Sequence, residues 1–341
     1  MPKLLLVLSL AILLVSCSEQ SPQTQVMTVT GPIAPSEMGQ TLSHEHVMVD
    51  WIGADSTGHH RWDRDSVVDR LLPQLKKIQK LGVESFVDCT PAYLGRDPLV
   101  LKRLAEETGL NILTNTGYYG AVNNKFIPDH ARSETAETLA RRWIDEFENG
   151  IDNTGIKPGF IKICVKVEGQ LSKLHRKLIA AAGLTHQETG LVIKSHTGGD
   201  VPAFEQIDVL QDMGVSPSAF IWTHAQNGSL EKNLEAARKG AWVSLDGVNI
   251  SHAEEKEGNK DFYINRLKAF QEADLLDRVL LSHDAGWYDV GQPGGGGFRS
   301  YNDIHEFLVP ALQENGFKEN EIQTLLIDNP ATAFKIQVRV K

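Results

Sequence analysis

Cysteine is scarce in this sequence, with three in 341 residues, one of them at position 17. Cys89 and Cys164 sit inside the apolar runs ESFVDCT and FIKICVK, so both read as small buried hydrophobes and no structural disulfide is expected. Positive charge is also short. Lys and Arg number 34 against 44 Asp and Glu, a net charge of −10. That balance argues against nucleic acid or anionic lipid as a partner of the folded part and leaves a small-molecule substrate. No Pro/Ser-rich linker or charge block splits the chain after residue 26, so 26–341 is read as one domain. A nucleotide-binding glycine fingerprint is missing after the first β-like run, which weighs against a doubly wound sheet. The apolar run from Leu4 to Val15 is too short to span a bilayer comfortably.

That run instead has the layout of a secretory signal, with Lys3 before it and Ser16-Cys17 after it. Leu14-Val15-Ser16-Cys17 resembles the lipobox of bacterial lipoproteins. The resemblance implies a signal peptide over 1–16, lipidation of Cys17 and a location on the periplasmic face of a bacterial membrane. Residues 17–25, polar and proline-containing, would form a tether.

From residue 40 onward, eight β-like runs alternate with amphipathic helical stretches: TLSHEHVMV, VESFVDCT, NILTNTGY, GFIKICV, LVIKSHT, AFIWTHA, AWVSLDG and RVLLSHD. Asp97-Pro98 provides a cap and a first helical residue for one of the intervening helices. Eight β-then-α units in succession predict an α/β fold, a (β/α)8 TIM barrel, with VMTVTGPIAPSEMG as a short N-terminal hairpin below it. The glycine-rich GQPGGGG at 291–297 reads as a mobile loop over the barrel mouth.

Active sites of such barrels lie at the C-terminal strand ends, and polar residues collect there. His44 and His46 alternate on the first strand, so both imidazoles share a face, roughly 6.6 Å apart along the chain. Strand four carries Lys162, strand five ends in His196, strand six in His224 and strand eight in His283-Asp284. Imidazole nitrogen with carboxylate oxygen suits zinc and similar divalent ions. A lysine among four imidazoles is out of place as a cation, but carbamylation by CO2 would convert it into a carboxylate-like bridge.

As an ordered set, GPIAPSEMGQTLSHEH, the GRD after strand two, TGYY after strand three and SHD on strand eight resemble the phosphotriesterase family, with its lactonases, of the amidohydrolase superfamily. The resemblance implies two divalent metal ions, zinc first with cobalt, manganese or iron also accepted by this shell. His44, His46 and Asp284 would hold one ion, His196 and His224 the other, and carbamylated Lys162 would bridge them together with a hydroxide that attacks the substrate. Asp284 would be the general base, and Tyr119 matches a tyrosine that the lactonases place beside the hydroxide. Two positions depart from the family pattern: Asn227 stands where a carboxylate relays a proton, and Gly247 follows Leu245-Asp246 where the family often has a larger residue, which predicts a wider pocket. Lactones or carboxylic esters are the expected substrates, with phosphotriester hydrolysis or non-catalytic ligand binding by a periplasmic lipoprotein as rivals. The oligomeric state stays open, a homodimer included.

Overall fold

A computed structural model describes residues 24–166, 168–251 and 256–341. The signal segment 1–16, Cys17 and most of the tether therefore lie outside the described residues. No helix among the described residues is long and apolar enough to cross a membrane.

An antiparallel hairpin of β1 (Val26–Thr28) and β2 (Gly31–Ile33) opens the fold. Next come β3 (Gln40–Val49), β4 (Val83–Asp88), β5 (Asn111–Leu113) and β6 (Asn115–Thr116), then β7 (Phe160–Cys164), β8 (Ile193–His196), β9 (Phe220–Thr223), β10 (Trp242–Leu245) and β11 (Val279–Leu281). All ladders from β3 to β11 are parallel, which requires a crossover between successive strands. Helices such as Arg64–Lys80, Pro98–Thr108, Lys173–Thr189 and Asp200–Asp212 supply those crossovers. The expected cap forms: Asp97 accepts from the Leu99 and Val100 amides at 3.0 and 3.3 Å. The barrel floor is a separate apolar cluster in which Leu113, Phe160, Val192, Ile221, Trp242 and Leu280 pack with Val26 of the hairpin and Phe334. Cys89 and Cys164 are free thiols, both buried.

Two details differ from the sequence reading. Strand three is two pieces, β5 pairing with β4 and β6 with β7, because the chain steps sideways at Thr114. Strand eight does not end at Asp284. It resumes as β12 (Gly286–Asp289), which runs parallel to the upper part of β3. Gly286 is required at that turn, since a Cβ there would lie 2.1 Å from the His46 carbonyl and 2.1 Å from the Tyr301 hydroxyl. The GQPGGGG stretch is mostly exposed and folds into tight turns. Its turns close through Gly295 N–H to Gln292 O (3.0 Å) and Gly296 N–H to Pro293 O (3.2 Å). Gly295 is buried at φ +84°, with no room for a Cβ against the Tyr288 ring.

Barrel closure between β11 and β3 uses no regular ladder. Ser43 Oγ donates to Leu281 O at 3.0 Å, Ser282 Oγ accepts from His44 N–H at 2.8 Å, and the Asp284 and Ala285 stretch bonds to His44 O and His46 N–H, both at 3.0 Å. This seam carries the first three sequence-predicted ligands.

Candidate metal centre

His44, His46 and Asp284 come together at the seam. His46 Nε2 lies 3.1 Å and His44 Nε2 3.6 Å from Asp284 Oδ1. Each imidazole turns Nε2 inward because its Nδ1 is occupied. Thr90 Oγ1 donates to Met48 O (2.9 Å), so at 2.8 Å it must accept from His46 Nδ1–H. His44 Nδ1–H is held by Asp246 Oδ2 at 2.8 Å. The other oxygen of Asp246 takes His224 Nδ1–H at 2.7 Å, which leaves His224 Nε2 facing His196 Nδ1, also at 2.7 Å. Three imidazoles are thereby fixed in one tautomer with a lone pair aimed at the same space, the outer support typical of ligating histidines. His44, His224 and Asp246 also lie close enough to suggest a cation site. However, Asp246 meets the protonated nitrogens and accepts Ser244 Oγ–H at 2.7 Å, so it is a hydrogen-bond anchor.

Electrostatics agree with neutral His44 and His196 and an ionised Asp284. Burial, then the charge of Lys162, holds His44 well below the usual imidazole range; burial, then His224 and Lys162, does the same to His196. Burial alone would raise Asp284, but His44, His46 and His224 reverse it and depress the carboxyl far below its ordinary range. Its side chain is 24% exposed, whereas that of Asp246 is fully buried, so Asp284 is the carboxylate open to the mouth.

Lys162 is buried, and its Nζ has no hydrogen-bond partner among the described residues. Its charge acts on both His44 and His196. An unpaired buried ammonium is costly as it stands. The donor set His44, His46 and Asp284 fits a divalent metal ion.

Tyr119 packs edge-on against His196, with ring centroids 5.2 Å apart. Its hydroxyl meets the Cys164 thiol, and burial pushes its pKa well above the phenol value, so it stays a donor. A ring of edge contacts continues from Tyr119 through Phe126, Trp51 and Trp287 to His46. Beside it opens a cleft of about 750 Å³ bounded by Tyr119, His196, Asn124, Lys166 and His175. His283 does not face the mouth. It accepts from Ile304 N–H at Nε2 (3.0 Å) and therefore donates from Nδ1 to Glu45 Oε1 (2.6 Å).

The sequence reading missed Asp246, Glu45, Thr90 and Lys194. Two signals were present: Lys194 stands two residues before His196, hence on the same strand face, and Glu45 is a carboxylate between two ligands. Its account of Gly247 needs correction. The space beside Gly247 is filled, since a Cβ would lie 2.7 Å from Gln226 Nε2 and 2.8 Å from the Tyr263 hydroxyl. Asn227 is exposed, while Gln226 touches Asp246, donating at 3.3 Å and accepting from the Asp246 N–H at 3.2 Å. A wider pocket at Gly247 does not follow.

A model of the phosphotriesterase family matches residues 24–334. This chain belongs to the phosphotriesterase family. A phosphotriesterase homology protein of Escherichia coli is 30% identical over 300 residues, covering 87% of this chain and 98% of its own length. The human N-acetyltaurine hydrolase is 26% identical, covering 90% of this chain and 96% of its own. The crystal structure of a mutant PTE-like lactonase from Deinococcus radiodurans superposes with a TM-score of 0.79 at 24% identity, covering 91% of this chain and 99% of that one. The fold of this phosphotriesterase-family hydrolase is thus the TIM barrel of the lactonase structure.

Proposed function

We propose that the chain is a binuclear metal-dependent hydrolase of lactones or related carboxylic esters. The observation that carries this reading is the meeting of two ligand groups, His44/His46/Asp284 and His196/His224, whose His44 and His224 rings lie 5.1 Å apart, together with a buried Lys162 nitrogen that has no partner among the described residues. His44, His46 and Asp284 would hold one divalent ion, His196 and His224 the other, with Lys162 carbamylated between them and zinc the first candidate. When bound, such ions supply a water of lowered pKa and polarise the scissile carbonyl. The chain's own residues do the rest. Tyr119, kept as a neutral phenol, is available to donate to the carbonyl or ring oxygen of a substrate lying in the cleft. Asp284, ionised and partly exposed, takes the proton released on attack and returns it to the leaving alkoxide, which a lactone keeps tethered. A carboxylate with direct access to the leaving oxygen suits this better than an aryl phosphotriester, whose leaving group departs.

The test is a screen of metal-loaded protein against lactones, aryl esters, N-acyl amides and aryl phosphotriesters. The best lactone or ester should exceed the best phosphotriester in kcat/KM by about 100-fold, near 2.7 kcal/mol. Equal or better phosphotriester turnover would reassign the substrate and leave the centre intact. Binding without turnover would support the ligand-binding alternative. The N-terminal stretch supports export and lipid attachment at Cys17; Cys17→Ser should move the protein from membrane to soluble fractions.

A further inference from the structure

Part of the wall of the cleft beside Tyr119 and His196 has no role in the reaction as derived. Val122, Asn123 and Asn124 form a left-handed turn there, at φ +51°, +56° and +60°. Asparagine tolerates that conformation, but a β-branched valine adopts it only under strain, and such strain collects where ligands are gripped. One buried imidazole holds the turn. His175 accepts the Lys166 N–H at Nδ1 (3.3 Å), so Nε2 carries the proton and donates to both Gly120 O and Asn124 Oδ1, each at 3.0 Å. The same ring thus ties the turn to the segment that follows β7.

That arrangement leaves two donors on one wall. With Oδ1 committed to His175, the Asn124 Nδ2 amide has no partner among the described residues. Lys166 is exposed, borders the same cleft, and its Nζ forms no ion pair or hydrogen bond among the described residues. The one acidic residue bordering the cleft, Glu168, is also exposed and makes no ion pair with Lys166. An ammonium and a neutral amide donor match the two oxygens of a monoanion, whereas a dianion would bring surplus negative charge to a wall that already holds Glu168.

We propose that Lys166 and Asn124 form a carboxylate subsite, so that the preferred lactones or esters carry a carboxylate remote from the scissile bond. This deepens the substrate reading given above and rests on it for the reacting end of the molecule, which lies toward Tyr119 and His196. Lys166 supplies the charge and Asn124 a directed hydrogen bond. His175 is a positioning residue, since it orients the Asn124 amide and fixes the backbone that carries Lys166. No bond forms or breaks at the subsite.

The experiment compares γ-carboxymethyl-γ-butyrolactone with γ-ethyl-γ-butyrolactone, the same ring ending in a carboxylate or a methyl, in full-length metal-loaded protein. Wild type should favour the carboxylate lactone in kcat/KM by at least about tenfold, mainly through KM, and the ratio should shrink as salt rises from about 50 to about 500 mM. Lys166→Met should abolish that preference, Lys166→Glu should invert it and Lys166→Arg should keep it. Asn124→Ala should lower the ratio a few-fold, and Glu168→Gln, which removes a repelling charge, should raise it. A wild-type ratio near one, or a ratio that Lys166→Met and Lys166→Glu leave unchanged, overturns the subsite and leaves the lactonase reading standing. If neither lactone is hydrolysed, the lactonase reading falls instead, and the ratio of calorimetric Kd values for the same two lactones decides the subsite by the same criteria.

Discussion

The two halves of the centre are supported differently. At the seam, His44 is anchored by Asp246, His46 by Thr90, and Asp284 by its turn, which Glu45 clamps through Ser282 Oγ, His283 N, His283 Nδ1 and Ala285 N at 2.6 to 3.0 Å. That clamp holds Asp284 in the left-handed region at φ +53°. On the other side only His224 has such an anchor. His196 is half-buried, faces the cleft and Tyr119, and no hydrogen bond orients its second nitrogen among the described residues. On the proposed two-ion reading, the rigid half would set one ion's geometry and the looser half would adjust as substrate enters.

The greatest effect should come from the residue that serves both halves. Asp246→Ala removes the anchor of two imidazoles, each worth ten- to a hundredfold, so metal affinity should fall about 10³-fold by competition with a metal buffer. A loss confined to one ion would show that Asp246 supports only one half. Glu45→Ala should act on the rigid half alone. It leaves buried donors of the SHD turn unpaired and should lower unfolding free energy by about 3 kcal/mol in urea titration, with the second ion retained. Chelation compares the halves directly: limited EDTA treatment should strip the His196/His224 ion about tenfold faster, as one anchored ligand fewer implies. Equal rates would erase the distinction.

The smallest effect lies outside the centre and serves as its control. His59 faces Asp152 and Asp97, and hydrogen bonding to them raises its pKa to about 9. A raised folded-state value means that its stabilisation is complete below the unfolded pKa near 6.5 and is lost as pH rises through about 9. Because His59 is half-exposed, solvent screens the pair and the change should stay under about 1 kcal/mol. Urea midpoints of wild type and His59→Gln should converge from pH 6.5 to 9.5.

The barrel was legible because alternating β and α periodicity survives in every unit, and the cluster of His44, His46, His196, His224 and Asp284 was legible because histidines at strand ends are rare among apolar neighbours. What supports them was not. Asp246 and Thr90 act by facing the far nitrogens of residues distant in sequence, a relation no spacing records. Glu45 points away from the barrel interior, between His44 and His46, and only the seam geometry reveals why a carboxylate is buried there. In the glycine loop, Gly294, Gly295 and Gly296 take positive φ and Gly295 has no room for a Cβ beside Tyr288, a constraint that composition does not record. Gly247 misled, since a missing side chain says nothing of Gln226 and Tyr263 filling the space.

The bridged centre itself is tested most directly by anomalous diffraction from metal-loaded crystals at the metal absorption edge. The account predicts two peaks, one bounded by His44, His46 and Asp284 and one by His196 and His224, about 3.5–4 Å apart with density for a bridge from Lys162 between them. A single peak, or two peaks with Lys162 extending from neither, would contradict it.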